Sequence, residues 1–282
     1  MGFLKDIIKG IIIGIANAIP GVSGGTMMVS MGIYDNIIYC ITHLFKQLKK
    51  SIMTLMPYFI GMAVGIVGLA FAIKSLYGNF PFQTSMVFIG LILGGVPMLL
   101  KRVKKQKMGA GNGVVFLIFF AAIILMQCLG KNSTDVTLTI GFIPLVKMFF
   151  VGIVASATMV IPGVSGSMML MIMGYYNPIM TAITELVSGL VKGSWGKVLE
   201  VGASLVPFGI GVVLGIFVIA KIIEILLQKW EGLTYSAILG LVVSSPVVVL
   251  MGTPLAGLGV VTVLTGVIAL VIGGVVALKL GD

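Results

Sequence analysis

The sequence predicts an all-α polytopic membrane protein made of two inverted-topology repeats, each a re-entrant helical hairpin followed by three transmembrane helices. Three observations carry this expectation. Hydrophobic residues make up 59% of the 282 and charged residues only 9%, against roughly 25% charged in an ordinary soluble domain. Apolar runs of crossing length recur from one end to the other, so much of the chain is dissolved in lipid. Finally, residues 19–38, beginning I-P-G-V-S-G, recur at 161–180 with 11 positions identical. Colinear landmarks extend the match: Leu55, Pro57, Gly61 and Gly65 align with Leu205, Pro207, Gly211 and Gly215, and Gly90 and Leu91 with Gly240 and Leu241. A fixed-offset repeat of this kind marks duplication.

The first repeat, residues 1–135, opens with a hairpin at 7–45, broken at its middle by Pro20 and the glycines after it. Proline ends a helix and glycine opens the backbone, so the two arms read as half-helices entering and leaving on one face, with two full crossings as the alternative of the same parity. Residues 7–19 are too few to cross easily. Spans follow at 52–74, 84–100 and 114–130. The second repeat, residues 136–282, has its hairpin at 143–187, broken at Pro162, and spans at 204–227, 235–251 and 259–278. Helical pairs spaced Gly-x-x-x-Gly, at Gly10/Gly14, Gly61/Gly65, Gly90/Gly94 and Gly211/Gly215, predict close helix crossings. The first apolar stretch leads into the repeated motif, so it is expected to be retained and not cleaved as a signal peptide.

A hairpin plus three spans is an odd number of crossings, so the second repeat should be inverted. Charge agrees. Lys101, Arg102, Lys104, Lys105 and Lys107 lie in the loop after the second span, whereas the equivalent loop, 252–258, has no charge. With the basic loop cytoplasmic, all 18 lysines and arginines fall inside except Lys74, Lys131, Lys147, Lys192 and Lys197, as the positive-inside rule requires. Both termini are then cytoplasmic. The net charge of +10 thus reports orientation and not nucleic acid.

Broken helices meeting near the midplane at a repeat interface are a pointer to a transport site. At each break the following half-helix begins with unpaired amides and the positive end of its dipole, which together suit an anion. Ser23 and Thr26 in the first motif, and Ser165 and Ser167 in the second, add hydroxyl donors, and Asn17 offers another. The expected phosphate-binding set is Asn17, Gly21, Ser23, Gly24, Gly25, Thr26, Gly163, Ser165, Gly166 and Ser167. Asp35, deep in an apolar segment with Asn177 as its repeat mate, is the candidate for a coupling proton. Glu185 reads as reaching the interface, Lys221 and Glu224 as a surface pair on one helix face, and Arg102 and His43 as positive-inside flanks. A substrate phosphate could still meet that basic rim.

The acidic residues, eight in all, form no nearby pair, and there is no triad or ligand cluster, so neither catalytic residues nor a metal or other cofactor is expected. Cys40 and Cys128 lack metal or redox spacing. No Walker motif is present, so drive is expected from protons, another ion, or consumption of the substrate inside.

The segment Gly14-Ile-Ala-Asn-Ala-Ile-Pro-Gly-Val-Ser-Gly-Gly-Thr26, with its echo Ile161-Pro-Gly-Val-Ser-Gly166, resembles the signature of the bacterial polyprenyl-phosphate transporter family (PopT). The likeness runs over nearly the whole chain. It implies a non-enzymatic protein of the bacterial cytoplasmic membrane that moves undecaprenyl phosphate from the outer to the inner leaflet, recycling the lipid carrier for peptidoglycan and other envelope polymers. The second motif departs from the first at Ser167 and Met168, where the first has Gly25 and Thr26, so the two hairpins are expected to contribute unequally. Two other readings share the same features: a small-anion or ion transporter or channel, which uses the same dipoles, and a membrane lipid-pyrophosphate phosphatase. The phosphatase needs a carboxylate or an arginine beside the serine, and neither motif has one.

Overall fold

The computed structural model describes residues 2–18, 23–68, 76, 78–104, 109–129 and 135–281, and among these the regular structure is entirely helical. The helices are α1 (Gly2–Ala18), α2 (Gly24–Ser30), α3 (Tyr34–Thr42), α4 (Leu48–Ala63), α5 (Pro81–Lys104), α6 (Ala110–Leu129), α7 (Phe142–Val160), α8 (Gly166–Ile172), α9 (Tyr176–Lys192), α10 (Trp195–Lys229), α11 (Glu231–Met251) and α12 (Val260–Gly281). Helix α4 continues into a π-helical turn, Val64–Gly68.

Six of the described helices are long and apolar enough to cross a membrane: α5, α6, α7, α10, α11 and α12. Five match expected spans. The expected span at 52–74 is described only as far as Gly68, as α4 and its π turn. The sixth, α7, is the first arm of the second hairpin and is long and apolar enough for the full-crossing alternative. Its 19 residues reach about 28 Å at ~1.5 Å each, close to the thickness of the hydrocarbon core.

The breaks follow from local chemistry. Ile161, before Pro162, has φ −76° and ψ 120°, the extended conformation that a following proline imposes, and α7 stops there. Gly163 turns the chain at φ +82°, a conformation that glycine adopts at no steric cost. A second break was not expected. Each short helix after the motif ends at a glycine with positive φ, Gly32 at +67° and its repeat mate Gly174 at +74°. Each hairpin is therefore three helices, a long arm, a seven-residue helix and a returning arm.

Packing repeats the sequence correspondence. Helix α1 packs on α4 and α7 on α10, each pair brought together by mated glycines: Gly10 against Tyr58 and Gly61, and Gly152 against Phe208 and Gly211. Helix α5 packs on α12, and α11 on α6, so each repeat lends a helix to the other. Helix α11 is central, with 67% of its apolar window buried against 11% for α6 and 17% for α12. The apolar side chains of the last two, among them Leu117, Ile118, Leu264 and Ile268, are exposed, as lipid-facing helices require.

The two hairpins are packed differently. Helix α2 lies on α5 of its own repeat and reaches α7 of the other, while α3 lies on α10, so the returning arm of the first hairpin packs on the opposite repeat. Helix α9 instead packs on α10 of its own repeat.

Candidate functional site

The two motif tips meet each other beside α11, where Gly163 faces the Leu241 backbone. Gly25 faces the backbone of Ile161 and Pro162, so closely that a β-carbon there would come within 3.2 Å of the Pro162 Cα. Beside it the Gly163 amide donates to Thr26 Oγ1 at 2.7 Å. Thr26 is fully buried, and its hydroxyl also lies 3.5 Å from Ser245 Oγ on α11. Tyr34 closes the same junction from below, its hydroxyl donating to the Val160 carbonyl at 3.0 Å.

The expected phosphate-binding residues fall on both sides of this contact, although Gly21 lies outside the described residues. Ser23 and Ser165 both sit in extended conformation immediately before a short helix, and neither hydroxyl caps it. Ser165 instead pairs with Ser167, Oγ to Oγ at 3.0 Å. Ser23 Oγ is buried with no hydrogen-bond partner among the described residues, and a buried hydroxyl left in that state costs about 1–3 kcal/mol. Asn17 takes a role opposite to the one expected of it: its Oδ1 accepts from the Gly24 amide at 3.1 Å. In this arrangement the Gly24 amide and the Thr26 hydroxyl are therefore engaged within the protein, while Ser23, one hydroxyl of the Ser165–Ser167 pair and the Asn17 Nδ2 retain donors. Because α2 and α8 have only seven residues each, the hydroxyls outweigh the dipoles as anion-binding features. Ser245, buried beside Ser244 on α11, was not anticipated. Its signal is the Ser244-Ser245-Pro246 run inside an apolar helix.

An apolar cavity of about 570 Å³ runs from Asn17 and Gly24 along Ile13, Met28, Phe59, Met159 and Phe217. Several of its walls, including Phe59, Met159 and Val213, are exposed on the lipid-facing surface. The cavity is within the size range of ligand pockets, and its wall is hydrocarbon apart from Asn17, Gly24 and Tyr58.

The ionisable residues are more organised than their sequence reading. At the start of α3, Asp35 Oδ2 accepts from the Tyr235 hydroxyl at 2.5 Å and lies 3.8 Å from Arg102 Nη2. Arg102 is thus a tether as well as a basic flank. Glu224 is buried and not a surface partner: Lys221 bonds it at 2.6 Å, and His43, at the end of α3, lies 3.4 Å away. Glu185 pairs with Lys197 at 3.5 Å. Asn177, the mate of Asp35, donates to Asp135 at 3.0 Å and lines a polar cavity of about 560 Å³ with Glu185, Lys197 and Glu200. The space around Asp35 is by contrast nearly closed, at about 20 Å³. The residues described include no His/Cys/Asp/Glu group of three able to hold a metal.

The profile of a protein family described as undecaprenyl phosphate translocase-like matches residues 13–257. A polyprenyl-phosphate transporter of Staphylococcus aureus (strain NCTC 8325 / PS 47) is 32% identical over 280 residues, covering 98% of this chain and 95% of its own. One of Vibrio cholerae serotype O1 is 26% identical over 260 residues, covering 87% of this chain and 77% of its own. No solved structure matches.

Proposed function

The chain belongs to the undecaprenyl phosphate translocase-like family, and on that premise we propose that it carries undecaprenyl phosphate from the outer to the inner leaflet of the bacterial cytoplasmic membrane, returning the lipid carrier to cell-envelope synthesis. One observation carries this reading: Asn17 and Gly24, the residue next to Ser23 in the first motif tip, line an apolar cavity open to lipid. A phosphate monoester on a long isoprenoid chain has the same division, a small anion attached to hydrocarbon. Ser23, Ser165, Ser167 and Asn17 donate to the phosphate, with Gly21, Gly24, Gly25, Thr26, Gly163 and Gly166 shaping the tips around it, and the first isoprene units lie along Ile13, Met28 and Phe217. The rest of the tail stays in the bilayer. A free anion would make no use of the hydrocarbon wall, which sets the lipid above the small-anion reading.

Transport then proceeds by alternating exposure of the tips to the two leaflets about the pseudo-two-fold axis, with the repeats inverted and residues 101–107 and both termini cytoplasmic. Gly281 packs beside Met98 and near Ser30, which supports placing the chain's end on the same face as Arg102. Asp35 is the candidate for the coupling proton, since protonating its carboxylate dissolves the ion pair with Arg102. The test is reconstitution in liposomes containing undecaprenyl phosphate, with the exposure of the phosphate measured on each leaflet. Wild type equilibrates the leaflets and a Ser23→Ala/Ser165→Ala double variant of normal expression does not. Equal rates in the two proteins remove the serines from the site, and no movement by folded wild type removes the lipid substrate.

A further inference from the structure

Arg102 and Tyr235 are held on the scaffold, at the end of α5 and the start of α11, two helices packed on each other. Their anion, Asp35, comes from the hairpin. The Tyr235 hydroxyl donates to Asp35 Oδ2 at 2.5 Å, the guanidinium lies 3.8 Å from the same oxygen, and it stands 6.0 Å from the centroid of the Tyr235 ring. Tyr235 is buried, so its hydroxyl is fixed. Arg102 is half exposed and is the chain's single arginine. A guanidinium and a phenol converging on one oxygen make an anion site that suits a phosphate at least as well as a carboxylate. The site is also one-sided. The repeat mates of Asp35, Arg102 and Tyr235 are Asn177, Gly252 and Ser85, which provide neither anion nor cation.

We propose that Arg102 and Tyr235 form a second phosphate-monoester site, at the cytoplasmic end of the transport path, which the Asp35 carboxylate occupies in this state and which the lipid headgroup takes over when the first hairpin withdraws. The proposal rests on the lipid-carrier reading and on the cytoplasmic placement of residues 101–107. It assigns Arg102 the release side of the path: the internal carboxylate keeps the site filled until a headgroup arrives, and the equivalent positions Asn177, Gly252 and Ser85 offer no matching acceptor. Motion of α3 exchanges one anion for another, so the guanidinium is not left uncompensated.

Because Arg102 is the only arginine, phenylglyoxal modification of the tag-free protein, followed by intact mass, reports on this side chain alone. Farnesyl phosphate should slow the modification and farnesol should not. Inorganic phosphate, run separately, shows whether the site needs the lipid or only the anion: protection by farnesyl phosphate alone identifies the lipid headgroup, and protection by both identifies a general phosphate-monoester site that the headgroup uses. Asp35→Asn removes the internal competitor and should tighten farnesyl phosphate about two- to fivefold, the range expected from an ion pair of this exposure. The gain should vanish in Asp35→Asn/Arg102→Gln. Unchanged modification of wild type at farnesyl phosphate concentrations that saturate its binding overturns the proposal, as does a gain that survives loss of Arg102. Absence of any farnesyl phosphate binding to wild type overturns instead the lipid-carrier reading on which it stands. The wild-type protection assay needs no variant to fold.

Discussion

Replacing Thr26 with valine tests how firmly the two motif tips are held together. The side chain is fully buried and its hydroxyl accepts the Gly163 amide at 2.7 Å. Valine keeps the shape, so no cavity forms, but the Gly163 N–H is left in a buried junction without an acceptor, at a cost of about 1–3 kcal/mol. That shifts the balance between joined and separated tips by about 5- to 150-fold. Thr26→Ser retains the acceptor and loses only a methyl group, so it should shift the balance much less. The assay is the reaction rate of Ser165→Cys with a water-soluble maleimide, in a background with Cys40 and Cys128 replaced by serine. Ser165 is buried at this junction, and the rate should rise in the valine variant and stay near its starting value in the serine variant. Equal rates in both would refute the claim that this hydrogen bond holds the tips, and a rise in the serine variant alone would locate the effect in packing.

Other expectations follow from single contacts. Ser23→Ala should leave the unliganded protein as stable as wild type or slightly more so in thermal unfolding, because it removes a buried hydroxyl that has no partner among the described residues, yet weaken binding of farnesyl phosphate. Met159→Trp should fill the apolar cavity and slow transport of the long-chain lipid in liposomes more than it weakens binding of a short-chain phosphate. Gly152→Leu, at the α7–α10 crossing where even a β-carbon would meet the Phe208 carbonyl, should cost more than the ~1–3 kcal/mol usual for overpacking, because backbone and not a side chain must move. Asn177→Asp should place a second carboxylate against Asp135 and lower thermal stability at neutral pH, with recovery as the pH falls through about 4, where carboxylates protonate.

How much could be read in advance depended on whether a feature was local. Pro162 and the mated glycines announced the break after α7 and the close crossings, because each acts on its own backbone or through a small-residue face, whereas Pro20 lies outside the described residues. The extra breaks at Gly32 and Gly174 were missed although Met-Gly is identical in both motifs: glycine is common inside membrane helices, so its presence alone does not mark a turn, and only its positive φ does. The site was half legible. Composition named its hydroxyls, but not that Thr26 would receive the Gly163 amide from the other repeat, or that Asn17 would turn its oxygen to Gly24. Asp35 stood out because a carboxylate is costly in an apolar segment. Its partner Tyr235, 200 residues away, did not, since tyrosine near a helix end is ordinary and only the fold brings the two together.

The unequal packing of the hairpins gives the alternating-access reading its sharpest test. The first hairpin crosses to the other repeat, where Asp35 reaches Tyr235 and His43 reaches Glu224. The second stays on its own, with Asn177 lining the polar cavity. If the halves exchange conformations during transport, the contact equivalent to Asp35–Tyr235 must form between their mates, Asn177 and Ser85. Ser85 is buried at the far end of the scaffold, where the Thr253 hydroxyl donates to it at 2.7 Å, so its position offers a hydroxyl lining ready for the amide. A cysteine pair at 35 and 235 should cross-link in the resting protein and arrest transport with the Asn177 cavity open. A pair at 85 and 177 should cross-link only as the protein turns over, faster with undecaprenyl phosphate present, and should leave Arg102 more reactive to phenylglyoxal once the lipid is washed out. The charged latch at one end and the neutral one at the other predict that the first pair forms more completely at equilibrium. Transport at the normal rate while positions 85 and 177 never cross-link would show that the halves do not exchange, and the movement would then have to belong to the first hairpin alone.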